Sequence, residues 1–494
     1  MKTQCTILAA LLALAGAAAG AQEKPAAAPA AASAQAAMVK RADALTEDQI
    51  NQSHDIAALT KLAELYSAQN DLQRFSWALR RVSELVPNSG DLKLQLALAY
   101  AKMGDKTRAY DTLMRMQGQG FGYDIASDPR FEPIHGTKVW DYIVKNLQVN
   151  AQPFGEGKVA CTLPKGDYLF DALAWDAKRG RLLAGSEREG KVYVVAEDGT
   201  LTDLIAADAN NGLWGVTALG VDAAHGKLYV ASAATPRFKA FNADNAGKSA
   251  VFEFELASGK FLRRYALPNE GGNHLLNALA VSGNGQVYVA EGARKRVFRI
   301  DGGSLKLIVQ NQKLSGISAI AVNDSGRTLY IADYVQGIFG FDLAKAAAFE
   351  LEYNPAALVL GGTVGLNWYD GNLIAVTDGM VPKRVMRMKI SADGHKIENT
   401  MPLDVAQPAF ASLGSGTVAG DKLYFVANRQ DALYDAHGVL TDAAALEGTN
   451  VYRSNLRFAW GQAGVARAMT PIEAAKPGTY SKKPGVAAQD PAKH

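Results

Sequence analysis

His274, in the run Gly271-Gly272-Asn273-His274, stands three residues before Asn277, on a loop that leads into an apolar strand phrase. A histidine so placed serves either as a general base at an open mouth or as a hydrogen-bonding loop residue. Oxygen-bearing side chains recur near the starts of similar phrases. They are Asp171 in Phe170-Asp171-Ala172-Leu173-Ala174-Trp175, Thr217, Asn277 in Leu276-Asn277-Ala278-Leu279, Ser318, Asn367 and Ser412. As residues of inner strands these six are expected to converge on one polar pocket that takes a small-molecule ligand. Asp171 and Asn277 also admit a plainer reading, as polar groups that line a wet channel and bond neighbouring backbone. Asp333 and Asp378 end their strands and are expected to tie down the following turn. Cys161 lies in the alternating run Val159-Ala160-Cys161-Thr162-Leu163 with no thiolate-stabilising neighbour, and reads as a buried small residue. No Gly-x-Ser-x-Gly run between strand and helix, phosphate loop or paired Cys or His motif at metal spacing occurs.

The elements that must position these residues repeat. Leu173-Ala174-Trp175-Asp176 leads through a polar turn to Leu182-Leu183-Ala184-Gly185-Ser186. The same phrase, an apolar strand, a turn with glycine and an apolar strand ending in a polar residue, restarts at Leu219, Leu279, Ile320, Leu366 and Gly416. Each interval has room for four short strands, the size of one propeller blade. The expected fold class is therefore α plus all-β in two domains, with a six-bladed β-propeller over 155–460. A seven-bladed ring or a β-sandwich is the alternative, because the second module carries an insertion. The strand at Val159 to Leu163 is expected to pair near Asn450 to Leu456 and close the ring.

Before residue 155 the spacing is helical. Leu62-Ala63-Glu64-Leu65-Tyr66 recurs 34 residues later as Leu96-Ala97-Leu98-Ala99-Tyr100, and Asn70-Asp71 recurs as Gly104-Asp105. Phe75, Leu79 and Val82 recur as Ala109, Leu113 and Met116, and Pro87 closes the first unit. This pattern resembles the tetratricopeptide repeat, and the resemblance covers about residues 55 to 120 of a helical domain over 39–150. It implies a groove for a protein or peptide partner; with two units, a spacer or dimerisation role is the other reading.

Residues 1–21 read as a cleavable signal peptide, with Lys2, an apolar run from Thr6 to Ala19 and the small-x-small site Ala19-Gly20-Ala21. Residues 22–38 form an Ala/Pro-rich linker, and 461–494 a disordered tail. The expected location is periplasmic or secreted, with no transmembrane span. With 52 basic against 49 acidic residues the net charge is +3, too weak a field to argue for nucleic acid as a partner.

The strand phrases resemble the six-bladed family of gluconolactonase and senescence marker protein 30, and more loosely the NHL-repeat propellers, over about residues 157 to 456. The resemblance implies a divalent metal on the channel axis, calcium or zinc, held by oxygen side chains and activating water against a lactone. Carried across, Asp171 takes the place of the family's glutamate, one methylene shorter, and Asn277 takes the matching place in the third blade. Ser318 stands there in the fourth blade, and Val364 or Gly365, without a side-chain oxygen, in the fifth. Two functions follow as expectations. One is an exported binding protein with a helical repeat module and a ligand-binding propeller. The alternative is a metal-dependent lactonase-like hydrolase using Asp171 and Asn277, with His274 or a metal-bound water moving the proton.

Overall fold

A computed structural model describes residues 44–267 and 270–459. The signal peptide, the linker and the tail lie outside the described residues. The chain forms two compact units. The described part of the first runs to Pro87 and adds Asp91–Leu113 and Ser127–Trp140; the second comprises Asn88–Gly90, Met114–Ala126 and the chain from Asp141 onward. No helix among the described residues is long and apolar enough to cross a membrane.

The first unit is helical. Helix α1 (Glu47–Gln52) starts at a capping box in which Thr46 and Gln49 exchange side-chain-to-backbone bonds. Helices α2 (Ile56–Ala68) and α3 (Leu72–Leu85) begin at Asp55 and Asp71, whose carboxylates accept from the N–H of Ala58 and Arg74 at 3.0 Å each. Leu59, Ala63 and Tyr66 of α2 are buried, as are Ala78, Leu79 and Val82 of α3. Helix α4 (Gly90–Lys102) follows, and the turn after it matches the turn between α2 and α3. Asn70 and Gly104 both take positive φ, 58° and 72°, and Asp105 caps the N–H of Arg108 as Asp71 caps that of Arg74.

The second unit is built on six antiparallel sheets; four have their strands in chain order from the channel outward, and the other two gain an outermost strand from the start of the unit. The inner strands are Phe170–Asp176, Gly215–Asp222, Leu276–Val281, Ile317–Val322, Thr363–Tyr369 and Gly416–Ala419, of blades one to six in that order. Between every two neighbouring blades lies one apolar cluster. Leu183 and Val192 of blade one meet Val216 and Phe252 of blade two, and so on round the circle. The sixth cluster joins Leu173 and Ala184 of blade one to Val426 and Val451 of blade six, so the ring is closed. A sandwich has no such sixth interface, and closure removes the exposed edges that a β-rich chain must otherwise manage.

The outer strand of blade six is Lys158–Leu163, paired antiparallel with Thr449–Asn455 in a register that sets Val159 against Tyr452 and Leu163 against Thr449. Cys161 sits on that outermost strand and is half-buried rather than fully enclosed. Just before it, Phe154–Gly155 adds a fifth strand to blade five against Asp404 and Val405. One short segment thus laces blades five and six together. Asp404, fully buried, receives the Gly157 N–H at 2.8 Å, the Tyr452 hydroxyl at 3.3 Å and the Ser454 hydroxyl.

Candidate ligand-binding site at the channel mouth

Each of the first five inner strands carries one extra residue near its start. In blade one Phe170 pairs with Ser186 and Ala172 with Gly185, so Asp171 is the unpaired residue of a bulge. The same slip isolates Thr217, Asn277, Ser318 and Val364. A bulge re-aims the side chain it leaves unpaired, and here it aims five of them into one cavity of about 690 Å³ that all six inner strands line. In blade six the residue before the first pair, Gly416 with Phe425, is Ser415, which also lines the cavity.

These side chains bond from blade to blade. The Thr217 hydroxyl donates to the Leu276 carbonyl at 2.5 Å, the Asn277 amide to that of Ile317 at 2.9 Å, and the Ser318 hydroxyl to that of Thr363 at 2.6 Å. The Ser415 hydroxyl donates to the Asp171 carbonyl at 2.7 Å. Between blades five and six, where Val364 has no donor, the Leu413 N–H reaches Asp378 at 2.8 Å instead. The result is a polar belt that latches neighbouring blades at one end of the channel. Between blades one and two the belt has no such member, because a carboxylate at position 171 cannot donate.

Charged pairs flank blade one on both sides. The Asp171 carboxylate turns back to blade six, accepting the Ser415 N–H at 2.9 Å and an Arg429 N–H at 3.3 Å. Gly414 makes this approach possible, since a Cβ there would lie 2.2 Å from Oδ1 of Asp171. Glu187, which follows the second strand of blade one, lies 3.5 Å from Arg237 and accepts the Thr235 hydroxyl at 3.2 Å. All four charged residues line the cavity. Burial pushes the Glu187 carboxyl above its usual range, with Arg237 opposing and Asp171 adding to the rise. For Arg429 burial works against the charged form, yet Asp171 and Asp431 outweigh it and hold the guanidinium above its ordinary value.

The structure brings Asp171, Thr217, Asn277 and Ser318 together on the belt. Asn367 lines the same cavity three residues further along its strand than the bulge at Val364, and its amide nitrogen has no hydrogen-bond partner among the described residues. Ser412 is not on the cavity wall; it forms a parallel bridge with Asn428, and Ser415 occupies the belt position. His274 is also away from the cavity wall. Its ring is buried, with Nδ1 2.8 Å from Glu291, which in turn is clamped by Arg296 at 2.6 Å. Asp333 accepts four backbone N–H groups, from Ser315, Gly316, Val335 and Gln336, and so ties down the turns on both sides.

The belt does not fit calcium or zinc. The oxygens of Asp171 are engaged by an N–H and a guanidinium, and that cation stands where a second cation would need to approach. The Asn277 oxygen accepts the Gly292 N–H at 2.7 Å, and the Ser318 hydroxyl is spent on blade five. No group of three or more His, Cys, Asp and Glu side chains is placed to hold a metal among the described residues.

Sequence reasoning missed Glu187, Arg237 and Arg429. Arg237 comes from the blade-two insertion and Arg429 from the long connection of blade six. The extra length of those connections was the available signal, since rigid rings carry their recognition on loops.

No protein-family model matches the chain, and no curated protein does. Among solved structures it is similar to a gluconolactonase from Xanthomonas campestris, with 16% identity over 62% of this chain and 92% of that one and a TM-score of 0.40. A virginiamycin B lyase from Staphylococcus aureus is 17% identical over 55% of this chain and 82% of that one, at 0.38. A PQQ-bound aldose sugar dehydrogenase from Streptomyces coelicolor is 16% identical over 61% and 99%, at 0.39. Similarities of this size carry no functional argument, and the six-bladed ring rests on its own strand pairing.

Proposed function

We propose that the chain is an exported, periplasmic or secreted, binding protein whose propeller takes a small polar ligand at the belt end of its channel. The helical hairpins, read as tetratricopeptide-like, hold a protein or peptide partner. One observation supports this over a metal-dependent lactonase-like hydrolase. The oxygen and amide side chains that a metal would require are spent as latches between blades, while two charged pairs, Glu187 with Arg237 and Asp171 with Arg429, line the cavity. A ligand is thus met by arginines and carboxylates, three of them on connections between strands and Asp171 on an inner-strand bulge. The test is an assay of the purified protein against a panel of lactones with calcium or zinc supplied. Turnover at ordinary enzymatic rates, of about 1 per second or faster, contradicts the reading. Background rates unchanged by Asp171→Ala agree with it.

A further inference from the structure

We propose that the gap in the belt between blades one and two is an oxyanion subsite, in which Arg237 anchors a carboxylate or phosphate group of the channel's ligand. This rests on the binding reading above and names the ligand's chemistry. Arg237 reaches the cavity from the blade-two insertion, and its side chain is 37% exposed. Its one ion-pair partner among the described residues is Glu187, at 3.5 Å, well beyond the roughly 2.7–2.9 Å of a strong charge-assisted bond. A guanidinium has five N–H donors in a planar fork that matches the two oxygens of a carboxylate or phosphate. Apart from Glu187, no protein acceptor engages that fork among the described residues.

The acids nearby do not compete on equal terms. Asp171 is already satisfied by Ser415 and Arg429, and Glu187 also holds the Thr235 hydroxyl. Burial makes Glu187 a reluctant anion, so an incoming oxyanion displaces a weak partner from Arg237. Arg429, on the blade-six side of Asp171, is a second cation in the wall of the same cavity.

The anchor is also held in advance. Beneath it the buried Arg188 bonds both Asp167 oxygens, at 2.6 and 3.0 Å, the Gly438 carbonyl at 3.0 Å and the Arg237 carbonyl itself. The Tyr434 ring lies 4.8 Å from that guanidinium. Gly438 packs against the insertion so closely that a Cβ would lie 2.1 Å from the Pro236 carbonyl. One buried arginine therefore fixes the backbone of the insertion and of the blade-six loop while leaving the Arg237 side chain only its Glu187 contact. Such preorganisation removes an ordering cost from binding.

The test is isothermal titration of the full-length protein with succinate, with inorganic phosphate and with the neutral succinamide, at constant ionic strength. Wild type, Arg237→Gln and Lys306→Gln are compared, the last as a surface charge control on the outer strand of blade three. Saturable one-to-one binding of succinate or phosphate is expected. Succinamide, or Arg237→Gln, should weaken it by about tenfold or more, the worth of one charged hydrogen bond. Lys306→Gln should change nothing. The preference between succinate and phosphate tells which oxyanion the fork suits. Absence of saturable oxyanion binding, or equal losses in both variants, overturns the subsite. Binding of succinamide as tight as succinate and indifferent to Arg237 overturns the subsite too, but leaves the channel-ligand reading standing.

Discussion

Replacing Asn277 by Asp separates a latch from a ligand, because the two shapes are nearly equal while a donor is exchanged for a charged acceptor. The native amide gives an N–H to the Ile317 carbonyl at 2.9 Å and takes one from Gly292 at 2.7 Å. A carboxylate keeps the second bond and loses the first, leaving two oxygens facing each other across the blade-three to blade-four joint. A lost hydrogen bond plus an unsatisfied carbonyl costs about 2–4 kcal/mol. With unfolding entropy of roughly 2.1 cal/mol/K per residue over about 300 propeller residues, that is a fall in Tm of roughly 3–6 °C. Differential scanning calorimetry at neutral pH, with and without millimolar calcium or zinc, reads it directly. As a metal ligand the same residue would gain from the exchange, since a carboxylate binds a hard cation better than an amide does. A variant that melts at or above wild type, or is rescued by either ion, refutes the latch.

Asp404 carries a pH signature. Burial pushes its carboxyl up to about 6 from 3.8, against the bonds from Ser454, Gly157 and Tyr452. The folded chain therefore takes up a proton that the unfolded chain does not. The stability this supplies is present in full below about pH 4 and lost as pH rises through about 6, an effect of about 2–3 kcal/mol. Asp404→Asn should remove that slope from urea unfolding midpoints, and identical profiles in both chains would falsify the assignment. Gly414→Ala should force Asp171 and Arg429 apart, because the added methyl meets carboxylate and guanidinium stem at 2.2 and 3.0 Å. The expected loss is about 1–3 kcal/mol of stability by urea unfolding, and an unchanged midpoint means that the turn gives way instead.

The six modules were legible because each repeats an alternating phrase with a glycine turn, and local alternation survives in any sheet. The closing strand was legible for the same reason, down to Val159 facing the run that begins at Asn450. Asp171, Thr217, Asn277 and Ser318 are legible as a set because each holds the same place in its phrase, two residues before Leu173, Leu219, Leu279 and Ile320. The sixth phrase has Gly414 at that offset, and the belt position falls to its neighbour Ser415 rather than to Ser412. What no phrase contains is the use to which the side chains are put. The Ser318 hydroxyl is bonded to Thr363, 45 residues away on the next blade, and such pairing is decided by ring closure. Glu187, Arg237 and Arg429 come from connections whose lengths, but not whose paths, can be read in one dimension. The lacing strand Phe154–Gly155 is two residues long and carries no period at all.

The most direct measurement is calorimetric titration of the intact protein with calcium and with zinc, beside Asp171→Ala. If the belt residues are latches, neither ion gives saturable heat that depends on Asp171, and the variant differs from wild type in stability alone. Stoichiometric binding that disappears with the Asp171 carboxylate would contradict this, and would return the channel to metal chemistry.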